Sequence, residues 1–153
     1  MIYSRTNEKV FYRKSLIPIE REDEQNGKYI SVVSLSGFLK RRDIIEIDRI
    51  ITDELKSGIH KFILDFSGVH HLSYRDVSLL MDFERKVNEY KGEIKFVVKD
   101  PYLIDILFVG GWPFTCNFYP DYIIAINAFK NEYFLTWRNN ANDTHSSTFK
   151  RNN

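Results

Sequence analysis

Residues 67–85, SGVHHLSYRDVSLLMDFER, hold most of the side chains that could do chemistry in this chain. Two serines, Ser73 and Ser78, flank an arginine and an acid, Arg75 and Asp76, with Asp82 and Arg85 one turn further on. A serine hydroxyl beside arginines suits a phosphoacceptor, because the phosphate would pair with the guanidinium groups. Ser73 reads first as a helix N-cap, a role worth about 1 kcal/mol. Asp76, three residues later, sits where an acid returns a bond to the cap. Phosphate on Ser78 would pair with Arg75 or Arg85 and face Asp82. Arg75 is a cation in the first turn of a helix, where the macrodipole disfavours it. A carboxylate is expected to compensate it, from a partner or from Asp76 or Asp82 locally.

Other candidate chemistry is weaker. His70 and His71 are adjacent, so their side chains point apart, and His60 and His145 lie elsewhere; no metal site is expected. The single cysteine, Cys116, excludes an internal disulfide and a multi-cysteine zinc site, and it has no evident activating base. The chain has no Walker sequence, no glycine-rich dinucleotide turn and no nucleophile elbow. Asp65 ends a strand near the loop and could look like a general base, but catalysis has little support. The expectation is therefore a protein that is not an enzyme and has no cofactor.

The elements that position these residues follow from periodicity. Strands are expected at 10–19, 29–35, 61–66 and 94–98, with a short fifth at 114–119. Pro18 places the first at a sheet edge, and Asn26-Gly27 marks the turn after it. Ile44, Ile47, Ile51 and Leu55 make one face of a helix over 43–56. A second helix covers 74–90, with Leu80, Phe83, Val87 and Tyr90 buried and Arg75, Ser78, Asp82, Arg85 and Glu89 outside. Residues 67–72 form the loop that joins the third strand to it. Asp100-Pro101 and Pro120-Asp121 start helices over 102–109 and 122–137. Trp112-Pro113-Phe114 is expected to pack beneath a sheet edge. Alternating strands and helices argue an α/β fold.

In 153 residues, 22 Lys and Arg balance 21 Asp and Glu, for a net charge of +1. That balance gives no footprint for nucleic acid or an anionic membrane. The polar start carries no signal peptide, and no apolar run reaches the roughly 18 residues of a membrane span. A cytoplasmic protein is expected. Residues 1–8 read as a flexible start, 9–137 as one domain and 138–153 as a disordered polar tail.

The local words, in order, resemble a known family. Ser34-Leu35-Ser36-Gly37, a helix, Leu64-Asp65-Phe66-Ser67-Gly68-Val69, a capped helix, then Gly92-Glu93-Ile94-Lys95-Phe96-Val97 resembles the STAS domain of sulfate transporters and anti-sigma factor antagonists. The likeness covers 9–129. It implies a single STAS-like domain, a mixed four- or five-stranded sheet with helices mainly on one face, in which Asp65 shapes the loop by accepting backbone N–H bonds. In the antagonists, a serine after the third strand is phosphorylated by a kinase that is also the anti-sigma factor. Aligned from Gly68-Val69, that position is Arg75, whose charge cannot be toggled. The resemblance thus implies a divergent antagonist in transcription regulation. Its contact surface would comprise His70, His71, Ser73, Tyr74, Arg75, Asp76, Ser78, Asp82 and Arg85. Ser73 and Ser78 remain the candidate phosphoacceptors. The expected partner is an anti-sigma factor or kinase-like protein. Two other readings stand beside it: a module that senses a nucleotide or small anion at the start of the second helix, and a homodimer through Tyr3, Phe11 and Tyr12.

Overall fold

The computed structural model describes residues 11–18, 29–113 and 118–141. Strand β1, Phe11–Pro18, runs antiparallel to β2, Tyr29–Leu39. Strand β2 is parallel to β3, Lys61–Leu72, which is parallel to β4, Glu93–Val97. The order across the sheet is β1-β2-β3-β4, which leaves β1 at an edge, as Pro18 requires. The helices are α1, Arg41–Lys56; α2, Val77–Glu89; α3, Pro101–Val109; and α4, Tyr122–Ala141. A single 3-10 turn, Tyr74–Asp76, leads into α2.

The strands explain their own composition. In β2, Ser31, Val33 and Leu35 face one way, and Ile30 and Val32 the other. In β3, Phe62, Leu64 and Phe66 share the first face, and Ile63 takes the second. The first face packs on Ile47 and Ile51 of α1, Leu80, Phe83 and Val87 of α2, and Leu103 and Leu107 of α3. The second packs on Ala125, Ile126 and Phe129 of α4. Both faces are covered, so 62–66 is nearly continuous in apolar residues, broken by Asp65 alone. Helices lie mainly on one face, three against one, as the resemblance implies.

Two strands run past their expected ends. The Ser-Gly words at 36–37 and 67–68 do not stop them; the β2–β3 register shifts between Ser34 and Ser36 and again between Gly37 and Phe38. Gly37 has φ 100°, and a Cβ on Gly68 would lie 2.9 Å from the Leu35 carbonyl oxygen. These glycines mark a bulge where two backbones approach closely, not a turn. Residues 67–72 are therefore strand, and His70 and His71 belong to it rather than to a loop.

Other expectations shift at the ends of elements. Tyr90 caps the C-terminus of α2 and is exposed, not buried, because Gly92 N–H turns back to the Val87 carbonyl at 2.8 Å. Helix α4 continues to Ala141, into the stretch read as tail. Of the fifth strand, Tyr119 makes one parallel bridge to Val97, while 114–117 lie outside the described residues. So do the Asn26-Gly27 turn, Tyr3, Phe114, Cys116, and residues 1–10 and 142–153.

Trp112 is buried, edge-on to Phe96 with ring centroids 4.7 Å apart. On α2, Glu84 is half-buried, and desolvation raises its carboxyl above the usual carboxylate range. A carboxyl raised on folding penalises the fold once it ionises. That penalty grows as pH rises from the unfolded value through the folded one, and is complete above it. Glu84→Gln should therefore melt higher than the parent at neutral pH. The gain should close on acidification through the carboxylate range. Equal melting curves at neutral pH would contradict this.

Candidate functional site

The site is built where β2 and β3 end and α1, α2 and α3 begin. At the foot of β3, Asp65 is buried, and its Oδ1 accepts from Ser67 N–H at 2.9 Å and Ser67 Oγ–H at 2.6 Å. It accepts a backbone N–H bond as expected, but it does so inside β3 at the bulge and not in a loop after the strand. At the head of β3, Ser73 Oγ accepts from Arg75 N–H at 3.1 Å, and Asp76 N–H donates to the Ser73 carbonyl at 2.9 Å. Ser73 is a cap, on a 3-10 turn rather than directly on α2.

Asp76 departs from its expected role. It is 8% exposed, and its carboxylate accepts from Arg41 Nη1 of α1 at 3.2 Å. It ties the turn to α1 and offers no surface to a partner; this removes it from the contact set. The Arg75 guanidinium lies 5.7 Å from the Tyr74 ring centroid. Neither local acid compensates it, since Asp76 holds Arg41 and Asp82 pairs with Arg85 at 3.0 Å. Arg75 thus stands exposed with no carboxylate partner among the described residues.

Ser78 and Arg85 are exposed and Asp82 is half-buried, further along α2. Asp82 and Arg85 border a groove of about 250 Å³ between α1 and α2. Ile44, Leu79 and Phe83 also line it, and Lys86 of its wall bonds Asp48 at 2.9 Å.

His70 is exposed and His71 half-buried, one residue apart on the strand. Among the described residues no three potential metal ligands converge. His71 instead joins three elements: its Nδ1 lies 2.8 Å from Tyr102 Oη, its ring stacks on Tyr102 at 5.8 Å, and Phe38 of β2 lies 5.6 Å away. Tyr102 is set by Asp100, whose Oδ1 accepts the Tyr102 N–H at 3.0 Å as the α3 cap. Phe66, Ser67, Lys99, Asp100 and Pro101 line a crevice of about 310 Å³ beside the bulge of β3 and beyond the end of β4. Phe38, Arg41 and Tyr102 were not legible as site residues. The available signal was the cationic run Lys40-Arg41-Arg42 opening a helix, where cations are disfavoured.

No family model and no curated protein matches the sequence. Solved structures do match the fold. An anti-sigma factor antagonist from Mycobacterium paratuberculosis superposes with a TM-score of 0.57 at 19% identity, over 77% of this chain and 93% of that one. The murine solute carrier 26 family member A9 anion transporter, in its inward-facing state, gives a TM-score of 0.53 at 16% identity. That match covers 72% of this chain and only 20% of the transporter. At these identities the likeness is one of fold, and in fold the chain is a STAS-like domain.

Proposed function

We propose that this protein is a binding module rather than a catalyst. It would act as a divergent anti-sigma factor antagonist that engages a cytoplasmic anti-sigma factor or related kinase-like protein. The observation that carries this is the solvent-facing turn at Ser73, Tyr74 and Arg75. It stands at the head of the sheet, on a fold shared with an antagonist over most of both chains. Arg75 holds a fixed positive charge at the position that the resemblance assigns to the phosphoacceptor. Regulation then falls to partner availability or to Ser78, which is exposed beside that turn. Ser73 is the less suited acceptor, because its hydroxyl already caps the turn. No helix among the described residues is long and apolar enough to cross a membrane.

The test is affinity capture from native cells with mass spectrometry, comparing the parent with Arg75→Glu. Recovery of an anti-sigma factor by the parent, and its loss in the variant, is the expected result. A partner retained equally by Arg75→Glu and Arg75→Ser would remove the turn from the interface. Recovery of no protein would favour a second reading, a sensor of a nucleotide or small anion. That reading is favoured by the crevice beyond the end of β4, which carries Lys99. A melting temperature raised by one such ligand would then identify it.

A further inference from the structure

The head of the sheet carries a second feature that the turn alone does not explain. Phe38 is 45% exposed and Tyr102 is 52% exposed, and the two flank His71. These rings come from β2, β3 and α3, so the patch exists only in the folded chain. A group of half-exposed aromatic rings brought together by three elements is the kind of patch a partner covers.

Four cations stand at the end of β2 and in the turn after β3. Lys40 caps α1, and Arg41 and Arg42 fill its first turn; Arg75 sits at the start of the next helical element. Lys40, Arg41 and Arg42 occupy the positive end of α1, where cations are unfavourable and anions are favoured. Three acids near the cations are already committed, while Asp105, one turn after Tyr102 on α3, is exposed. Asp43 accepts the Lys40 backbone N–H at 2.9 Å, Asp76 holds Arg41, and Asp100 caps α3. Lys40, Arg42 and Arg75 have no ion-pair partner among the described residues, and all three are exposed.

We infer that this corner binds an acidic segment of a partner protein that carries an apolar side chain. The apolar side chain lies on Phe38 and Tyr102, and its carboxylates reach Lys40, Arg42 and Arg75. Aromatic anchors with a cationic rim fit such a segment, because the anchor supplies affinity and the charges supply orientation. The chain's net charge of +1 and the tilted Phe38–His71 rings, 52° apart, do not favour a nucleic acid, which calls for a broad basic surface and parallel stacking platforms. The inference rests on the protein-binding reading above. It places the contact at the β2–α1 corner and across to α3, rather than down the outer stripe of α2.

The test uses the full chain, isotope-labelled, observed by amide NMR. The probe is a short synthetic peptide of aspartate and glutamate with one central phenylalanine. The control peptide has lysine at every acidic position. Expected are shifts confined to the amides around Phe38, Lys40, Arg42, His71, Arg75 and Tyr102. They should be absent with the lysine peptide and weakened by salt. The double variant Arg42→Glu, Arg75→Glu should bind about tenfold more weakly or worse, as reversal of two rim charges implies. Arg41 is left intact because it holds Asp76, and Phe38→Ser provides an independent apolar test. Absence of peptide shifts, or shifts along α2 only, would overturn the inference. So would tighter binding of a single-stranded oligonucleotide or of phosphatidylglycerol vesicles at the same patch. A captured partner without peptide shifts at this corner would sink this inference and leave the antagonist reading standing.

Discussion

Gly110→Ala should be among the most destabilising single substitutions in this protein, costing about 3 kcal/mol or more, at the top of the usual range for overpacking. Gly110 has an ordinary helical φ of −78°, so its backbone would accept alanine. The space would not. An added Cβ would fall inside the Val77 side chain and 2.6 Å from the Tyr74 carbonyl oxygen. Val77 is fully buried at the start of α2 and cannot swing away. The end of α3 would have to lift from α2, or the 3-10 turn would have to move. Either displaces Tyr74 and Arg75, so binding should fall together with stability. Gly111→Ala is the matched control. Gly111 has φ 111° with nothing within 4 Å of the added Cβ. Its cost should come from the left-handed backbone alone, about 1–2 kcal/mol. Urea midpoints at unchanged m-value would report both. A smaller loss for Gly110→Ala than for Gly111→Ala would mean that α3 does not press on the turn as described.

The second large effect is expected at Trp112. Its side chain is 2% exposed and stands at 80° to the Phe96 ring, with Phe118 5.6 Å away on another side. Truncation to alanine removes the largest side chain in that layer and leaves a hole the sheet cannot close. The loss should be about 3–5 kcal/mol. Trp112→Phe should cost much less. It keeps a ring against Phe96 and removes an indole N–H that is buried with no hydrogen-bond partner. The ordering decides the matter: comparable unfolding midpoints for the two variants would show that Trp112 is not the keystone of the layer. Packing on Phe96 of β4, an edge strand, is the placement the sequence leads one to expect for Trp112.

The core was readable in the sequence where one local rule governs. Ile44, Ile47, Ile51 and Leu55 repeat at helical spacing and are all buried on α1. The nearly continuous apolar run at 62–66 announced a strand covered on both faces. The Asp100 cap and the Ser73 cap were readable because capping is a contact between near neighbours. Long-range events were hidden. Asp76 looked like a capping acid, but its partner Arg41 is 35 residues away. The ends of β2 and β3 were misjudged because Ser-Gly is the same word for a stop and for a bulge. Only the neighbouring strand decides between them. For the same reason the turn at Ser73 and Arg75 was visible as a candidate site, while the Phe38–His71–Tyr102 group was not. No spacing rule links three residues on β2, β3 and α3.

The paired irregularity at Gly37 and Gly68 divides the sheet into two provinces. Below it, β2 and β3 keep a strict alternation that feeds both layers of the core. Above it, the strands carry Phe38, His70 and His71 toward solvent. In an uninterrupted strand, one inserted residue would flip every later side chain to the other face. A bulge absorbs that slip, because it already accommodates an unpaired residue. Exposed positions beyond the glycines, Phe38 and His70 among them, can vary while Leu39, Val69 and Leu72 stay in the core. Lineages built on this plan are free to change what they recognise while the fold stays fixed. A shared architecture at 19% identity is the trace such freedom would leave.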